Sequence, residues 1–214
     1  MSTKDLSKLS QLHYKVDKYG KKKATKRINK KLEGTDYTLE SLKRGVAVYR
    51  HKDGTSVLNS KGTDITNSKD ILSDIKLSLG LAKHDKQFKN RTKQIKAHLK
   101  KEEPESVTLT GHSLGASTIT HAMAKSKSVR DNVKKAEVFN TGHTKLFNKE
   151  LASGLKSDDK KLLKKKLIHH HVVGDVISNS LADRGTIGKV KKYEAEGSAL
   201  EKHSLDNFTE EEEL

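Results

Sequence analysis

The sequence predicts an α/β fold with a mixed, mostly parallel central sheet flanked by helices on both faces. Runs of β-branched and apolar residues alternate with segments of helical periodicity through most of the 214 residues. Two of the first runs are joined by Lys52-Asp53-Gly54, which predicts a hairpin and therefore some antiparallel pairing. A third observation is the run Gly111-His112-Ser113-Leu114-Gly115-Ala116, which joins a predicted buried strand to a predicted helix.

The elements follow from local pattern in chain order. Val107–Thr110 predicts the strand before the glycine-rich run, and Ile119, Ala122 and Met123 share one face of the helix after it. The other predicted strands cover 46–49, 55–59, 136–141, 167–173 and 190–193. The other predicted helices lie near 6–16, 34–45 (a turn and a short helix), 70–79, 88–99, around 162–163, and in 198–208 (a short helix and loop).

Three segments organise the chain. Residues 1–34 predict a basic, helical N-terminal extension, 35–209 the α/β domain, and 210–214 a frayed acidic tail. The chain has no cysteine, which excludes disulfides and thiol chemistry. We find no run long enough for a signal peptide or a membrane helix and expect a cytoplasmic or intracellular protein, membrane-peripheral or virus-encoded.

The formal net charge of +16 comes from 38 Lys and 6 Arg against 28 acidic residues. Such a surface attracts anionic membranes, and peripheral membrane contact is the partner that we expect from it, unless the lysines are simply solvent-facing residues. Specific nucleic-acid readers favour arginine forks and stacking aromatics, which are scarce here, so we do not expect nucleic acid as a partner. The sequence says nothing about the oligomeric state.

Ser113 is the candidate nucleophile. A serine on a sharp strand-to-helix turn, with glycine two residues to either side, is typical of the nucleophile elbow of α/β-hydrolases. The glycines let the two backbones approach, and the strained turn presents the serine hydroxyl. The competing interpretation is a glycine-rich turn with an inert serine.

A serine hydroxyl needs a general base that is oriented by a carboxylate. In this fold the acid precedes the base, and both follow the serine. Asp175 comes directly after the strand at 167–173, whereas Asp183, the second candidate, follows no predicted strand. His203 is the single histidine after Asp175. Taken singly, Asp175 would be a Gly-Asp turn residue and His203 an exposed helix histidine, but with the elbow the predicted triad is Ser113, Asp175 and His203.

An oxyanion needs two N–H donors. Leu114 supplies one at the start of the helix. We expect the second from Thr63 in Lys61-Gly62-Thr63-Asp64, which follows an earlier strand, although an ordinary Gly-Thr turn would have the same sequence. The run His169-His170-His171 places alternate rings on opposite faces of a strand, so we predict no metal site and no cofactor.

These residues resemble the class 3 lipase family, the α/β-hydrolase group of fungal triacylglycerol lipases and their smaller intracellular and viral relatives. Residues 111–116 match the family elbow, and Lys61–Asp64 resembles its Arg-Gly-Thr-Asp oxyanion loop, with lysine in place of arginine. Gly174–Ile177 resembles the acid loop, and His203–Phe208 the C-terminal histidine motif. The resemblance implies Ser113 as nucleophile, Asp175 as acid, His203 as base, and Thr63 and Leu114 as oxyanion donors. The lid expected around 81–90 is short and polar.

We therefore hypothesise a serine carboxylic-ester hydrolase, of lipase or phospholipase type, that cleaves acyl lipids or small esters through an acyl-enzyme on Ser113. The basic surface and polar lid favour a phospholipid or monomeric ester over triglyceride. The alternative is a catalytically silent hydrolase-fold protein that binds anionic membranes or partner surfaces.

Overall fold

The structure, a computed structural model, describes residues 1–62, 83–103, 105–142, 145–175, 177 and 186–208. Several expectations lie outside these residues: Thr63, Asp183, the helix expected at 70–79, the first two residues of the expected lid, and the acidic tail at 210–214.

One seven-stranded sheet forms the centre of the described chain, and its strands lie in sequence order from β1 to β7. The first three strands pair antiparallel, and every later neighbour pairs parallel. The mixed, mostly parallel sheet predicted from the sequence is confirmed. The strands are β1 (Tyr37–Leu42), β2 (Val46–His51), β3 (Ser56–Ser60), β4 (Val107–His112), β5 (Val133–Phe139), β6 (Leu167–Val172) and β7 (Lys189–Tyr193).

The short helix predicted within 34–45 is wrong, because Tyr37–Leu42 form the edge strand β1, whereas the predicted turn at the start of this range is present. Tyr37 and Leu42 are buried at its ends while the residues between them are more exposed. A register shift between Leu39 and Ser41 disturbs the alternation that would have indicated a strand. Pairing with β2, a tertiary interaction, determines the conformation here.

Seven α-helices in the described residues flank the sheet, and two short 3₁₀ helices, Glu201–His203 and Leu205–Phe208, end the described chain. None of the described helices is both long and apolar enough to cross a membrane. Helix α2 is interrupted at Gly20, which has a φ of 69°. The α-helices are α1 (Thr3–His13), α2 (Lys15–Leu32), α3 (Lys83–Leu99), α4 (Leu114–Lys125), α5 (Lys127–Asn132), α6 (Lys145–Ala152) and α7 (Ser157–Lys166).

Each face of the sheet has its own apolar core. Val48 and Leu58 point to the face that is covered by α3 to α7, and Tyr49 and Val57 point to the face that is covered by α1 and α2. Period-two alternation along the strands separates the two cores. Helix α4 lies within the first core and is buried along almost its whole length.

The N-terminal helices are part of the second core. Leu6, Leu9 and Ile28 are fully or almost fully buried against the sheet. Ser10 Oγ donates a 2.9 Å hydrogen bond to Asn59 Oδ1 of β3, and the Tyr49 hydroxyl donates to the Leu9 carbonyl at 3.1 Å. Ser10 Oγ also lies 3.2 Å from Thr110 Oγ1 of β4, the strand that leads to Ser113, so helix α1 packs beneath the candidate nucleophile's strand and its neighbours.

Candidate active site

The backbone at Ser113 has the strained conformation of a sharp turn. Its φ of 55° and ψ of −124° lie in a region that non-glycine residues rarely adopt. The Ser113 N–H donates to the Phe139 carbonyl at 3.0 Å, so the end of β5 holds the turn. A conformation of this kind costs about 1–3 kcal/mol and occurs mainly at functional sites.

The flanking glycines allow the end of β3 to approach this turn. A β-carbon on Gly111 would lie 2.7 Å from the Ser60 carbonyl oxygen. A β-carbon on Gly115 would overlap the same oxygen. The Gly-x-Ser-x-Gly pattern thus has a steric cause here, because a side chain at Gly111 would separate β3 from β4 and one at Gly115 would separate β3 from α4.

Asp175 and His203 are in contact, although they lie on different loops. Asp175 follows β6, and His203 ends the first 3₁₀ helix. His203 Nδ1 lies 2.9 Å from Asp175 Oδ2 and 3.0 Å from Oδ1. Because a carboxylate only accepts, Nδ1 carries a proton, and in the neutral imidazole this leaves the lone pair on Nε2. The carboxylate also accepts from the Ile177 N–H at 2.9 Å, which fixes its orientation.

Both reactive atoms of the predicted pair are shielded from solvent. Ser113 is 0% exposed and His203 1% exposed. Within the part of the chain that the structure describes, Ser113 Oγ and His203 Nε2 have no hydrogen-bond partner. A nucleophile–base hydrogen bond is frequently long without substrate, so its absence is compatible with a triad.

Leu114 is the first residue of α4, where N–H groups have no acceptor within the helix. Ser113 makes no side-chain cap bond to that helix end, so its hydroxyl does not occupy these donors. Gly62, which precedes Thr63, approaches closely: a β-carbon there would lie 3.2 Å from Ser113 Cβ and 2.6 Å from the His112 carbonyl oxygen. The loop that leads to the predicted second donor therefore begins beside Ser113.

His112 connects the elbow to the loop of His203. Its Nε2 lies 2.8 Å from the His203 carbonyl, and its Nδ1 lies 2.9 Å from the Tyr14 hydroxyl. Burial, together with the nearby His203, lowers the pKa of His112 to about 3. His112 is therefore neutral at pH 7, with Nε2–H donating to His203 and Nδ1 accepting from Tyr14.

Asn140, at the carboxyl end of β5, joins the loops that carry the acid and base. Its φ is 40°, in the left-handed region that asparagine tolerates better than most residues. Its Nδ2 donates to the Lys202 carbonyl at 3.0 Å, and its Oδ1 accepts from the Val172 N–H at 3.0 Å. Neither Asn140 nor Tyr14 is among the site residues that the sequence predicts. For Asn140, the one sequence feature that could have indicated a site role is its position as a polar residue directly after a strand.

The histidines His169 and His170 of β6 make hydrogen bonds within and beside the sheet. His169 contacts Thr141 Oγ1 at 3.0 Å and the Ile187 carbonyl at 2.9 Å. His170 points to the opposite face, where its ring nitrogens lie 2.7 Å from the Tyr193 hydroxyl and 3.1 Å from Glu137 Oε2. Among the described residues, no group of three or more His, Cys, Asp or Glu side chains is arranged to hold a metal ion.

Comparison with known proteins gives one family. The family model described as Lipase (class 3) matches residues 47–183, more than half of the chain. No curated protein matches the sequence. A solved structure described as an arylesterase is 10% identical and aligns over 95% of this chain and 96% of its own, with a TM-score of 0.41.

Proposed function

The chain belongs to the class 3 lipase family, and from this premise we propose that it is a serine carboxylic-ester hydrolase that acts on acyl lipids. The single observation that supports this most strongly is the contact between Asp175 and His203, two residues of separate loops whose order after Ser113 is that of an α/β-hydrolase triad.

In the proposed mechanism, Ser113 Oγ attacks the ester carbonyl while its proton passes to His203 Nε2. Asp175 keeps Nδ1 protonated and stabilises the imidazolium that forms. The same proton then leaves with the alcohol, and an acyl ester remains on Ser113. Water, deprotonated by His203, attacks this ester and releases the fatty acid and the free serine.

The negative charge of each tetrahedral intermediate falls on the former carbonyl oxygen. We propose the N–H groups of Leu114 and Thr63 as its two donors. The position of Leu114 at the helix start supports the first, and the approach of Gly62 to Ser113 supports the second. No metal or cofactor takes part in the proposed reaction.

The test is labelling with a fluorophosphonate, together with turnover of a short-chain p-nitrophenyl ester. We expect the wild type to be labelled at Ser113 and to turn over the ester, and Ser113→Ala to do neither. Ser153→Ala is the matched control, because Ser153 is exposed at the end of α6 and its hydroxyl bonds to the Glu150 carbonyl. Equal turnover by Ser113→Ala would refute the proposal.

A second candidate function is binding to anionic membranes without catalysis. The net charge of +16 and the full burial of Ser113 favour it. It predicts salt-sensitive binding to anionic vesicles and no fluorophosphonate label on Ser113. Labelling of the wild type therefore separates the two candidates.

A further inference from the structure

A cationic cavity lies beside the elbow, on the side of the loop that begins at Lys61 and Gly62. Its volume is about 660 Å³, and it lies between helix α3, the turn from β1 to β2, and the end of β3. Four of its lining side chains are basic and one is acidic. The charged lining residues are Asp17, Lys43, Arg44, Lys61 and Arg91.

Three of the four basic groups have no countercharge among the residues that the structure describes. Lys61 pairs with Asp17, the acidic residue of the lining. In the described chain, Lys43, Arg44 and Arg91 make no ion pair with any carboxylate. A group of cations without countercharges in a concave site attracts anions.

Arg91 is the central group of this arrangement. Its Nη1 donates to the Gln94 amide oxygen at 3.2 Å, and its Nε is buried without a hydrogen-bond partner in the described residues. Burial desolvates the cation and so lowers the pKa of the guanidinium, and no carboxylate in the described ranges pairs with it. A buried guanidinium with an unused donor can form strong charge-assisted hydrogen bonds to an oxyanion.

Gly45 makes room for this guanidinium. A β-carbon on Gly45 would overlap the Arg91 guanidinium, which therefore lies directly against the backbone of the turn. Gly45 also contacts the loop after β3, because the backbone N–H of Lys61 donates a hydrogen bond to the Gly45 carbonyl at 3.1 Å. The turn, helix α3 and the loop after β3 are thus joined around the cavity.

The cavity also lies close to the proposed nucleophile, from which Gly62 separates it. Gly62 lines it, and a β-carbon on Gly62 would lie 3.2 Å from Ser113 Cβ. In a glycerophospholipid, a short glycerol segment separates the acyl ester from the phosphate. A lipid with its ester carbonyl at Ser113 could therefore place its phosphate toward Arg91.

We propose that this cavity binds the phosphate headgroup of the ester that Ser113 cleaves, an inference that rests on the proposed hydrolase function. Several cations and the amides of Gln87 and Gln94 suit a tetrahedral oxyanion with more than one charge and several acceptor oxygens. A neutral glyceride would leave these cations without a countercharge. The site thus selects anionic phospholipids over triglycerides.

The kinetic test compares dihexanoyl phosphatidic acid with dihexanoylglycerol, both below the concentration at which they aggregate. For Arg91→Gln we expect KM for the phosphate ester to rise about 10- to 100-fold, with kcat and the turnover of the neutral ester little changed. Lys160→Gln, an exposed lysine of α7, is the charge-matched control and should leave both substrates unchanged. Equal losses on both esters would overturn the proposal.

A second variant moves Arg91 without removing its charge. Gly45→Ala should displace the guanidinium and raise KM for the phosphate ester in the same direction. Thermal unfolding of both variants identifies any general loss of folding. If folded Gly45→Ala and Arg91→Gln proteins discriminate between the two esters as the wild type does, the proposal is wrong.

A binding arm separates this inference from the proposed catalysis. Calorimetry measures the binding of inorganic phosphate and of dihexanoyl phosphatidic acid to two proteins, the Ser113→Ala variant and the Ser113→Ala/Arg91→Gln double variant. We expect the lipid to bind more tightly than free phosphate and both to weaken in the double variant. Binding of free phosphate alone, with no Arg91-dependent lipid binding, would reassign the cavity to an ion site. If the wild type turned over neither ester but lipid binding still depended on Arg91, the hydrolase function alone would be refuted.

Discussion

The Tyr14 hydroxyl donates a hydrogen bond to His112 Nδ1 at 2.9 Å, and this bond ties the N-terminal helices to the residue before Ser113. His112 in turn donates a hydrogen bond from Nε2–H to the His203 carbonyl at 2.8 Å. Residues from opposite ends of the sequence, Tyr14 and His203, are thus linked through one neutral imidazole. The N-terminal segment therefore contributes to the position of the proposed base.

Removal of this donor should affect both stability and catalysis. Tyr14→Phe leaves the buried Nδ1 of His112 without its partner, and we expect the free energy of unfolding to fall by about 1–3 kcal/mol. A less restrained His203 should also lower kcat. Urea unfolding and ester kinetics measure the two effects. Tyr19→Phe is the control, since the Tyr19 ring packs against Lys18 and Arg27. If Tyr14→Phe and Tyr19→Phe had the same unfolding free energy and the same kcat, Tyr14 would have no role in positioning the site.

The inner parallel strands, β3 to β6, were predictable because they are largely buried on both faces. Such strands are continuous apolar or β-branched runs, as at Val107–Thr110, and the sequence itself carries the signal. Edge strand β1 was not predictable. It contains polar residues and a register irregularity, and only its pairing with β2 makes it a strand.

The candidate site divides in the same way. Ser113, Asp175 and His203 follow from spacing and chain order, and the structure brings the last two together. Tyr14 acts through a contact with a residue far away in sequence, which no local pattern records. For Asn140 the local pattern offered only a polar residue after a strand, and its contacts with Lys202 and Val172 depend on the fold. The same is true of Arg91, whose place beside Gly45 depends on the packing of α3 against a turn.

Asp175 should matter far more for rate than for folding. Asp175→Asn keeps the size of the side chain but favours the wrong tautomer of His203, and we expect kcat to fall by about 10³- to 10⁴-fold. Ester kinetics measure this, with circular dichroism as the test of folding. Asp158→Asn, in the first turn of α7, is the matched control. A folded Asp175→Asn protein with wild-type kcat would exclude Asp175 from the triad.

Gly115 should tolerate no side chain. Because the new β-carbon of Gly115→Ala would overlap the Ser60 carbonyl, β3 must move away from α4, and we expect a loss of about 3 kcal/mol in the free energy of unfolding. Gly154→Ala is the contrast. Gly154 has a φ of 79° and open space around it, so only backbone strain of about 1 kcal/mol applies. Denaturant unfolding compares them, and equal losses would contradict the steric argument.

Glu137 should contribute to stability in a pH-dependent way. Burial would raise the pKa of this carboxyl, but hydrogen bonds from His170 and Lys135 outweigh burial and lower the pKa to about 2, from 4.5. Between these values the unfolded chain binds more protons than the folded one. The stabilisation is therefore complete above pH 4.5 and is lost as the pH falls toward 2.

The measurement is the melting temperature of the wild type and Glu137→Gln between pH 6 and pH 3, a window of about three units around the unfolded-state pKa. We expect the wild type to lose stability over this range and the variant, which cannot titrate at this position, to lose roughly 2 kcal/mol less. Parallel pH profiles for the two proteins would show that Glu137 does not contribute.

Asn140 combines a backbone role and a side-chain role, and two substitutions separate them. Asn140→Gly removes the hydrogen bonds to the Lys202 carbonyl and the Val172 N–H, and we expect it to cost about 2 kcal/mol. Asn140→Ala removes the same bonds and adds about 1 kcal/mol of left-handed strain. Both should lower kcat equally, because the residue next to His203 loses its anchor. Asn132→Ala, a half-buried asparagine of α5 whose side chain bonds to the Ser128 carbonyl, is the control. A lower kcat in Asn140→Ala with wild-type kcat in Asn140→Gly would assign the effect to strain, and the proposed anchoring of His203 by Asn140 would be wrong.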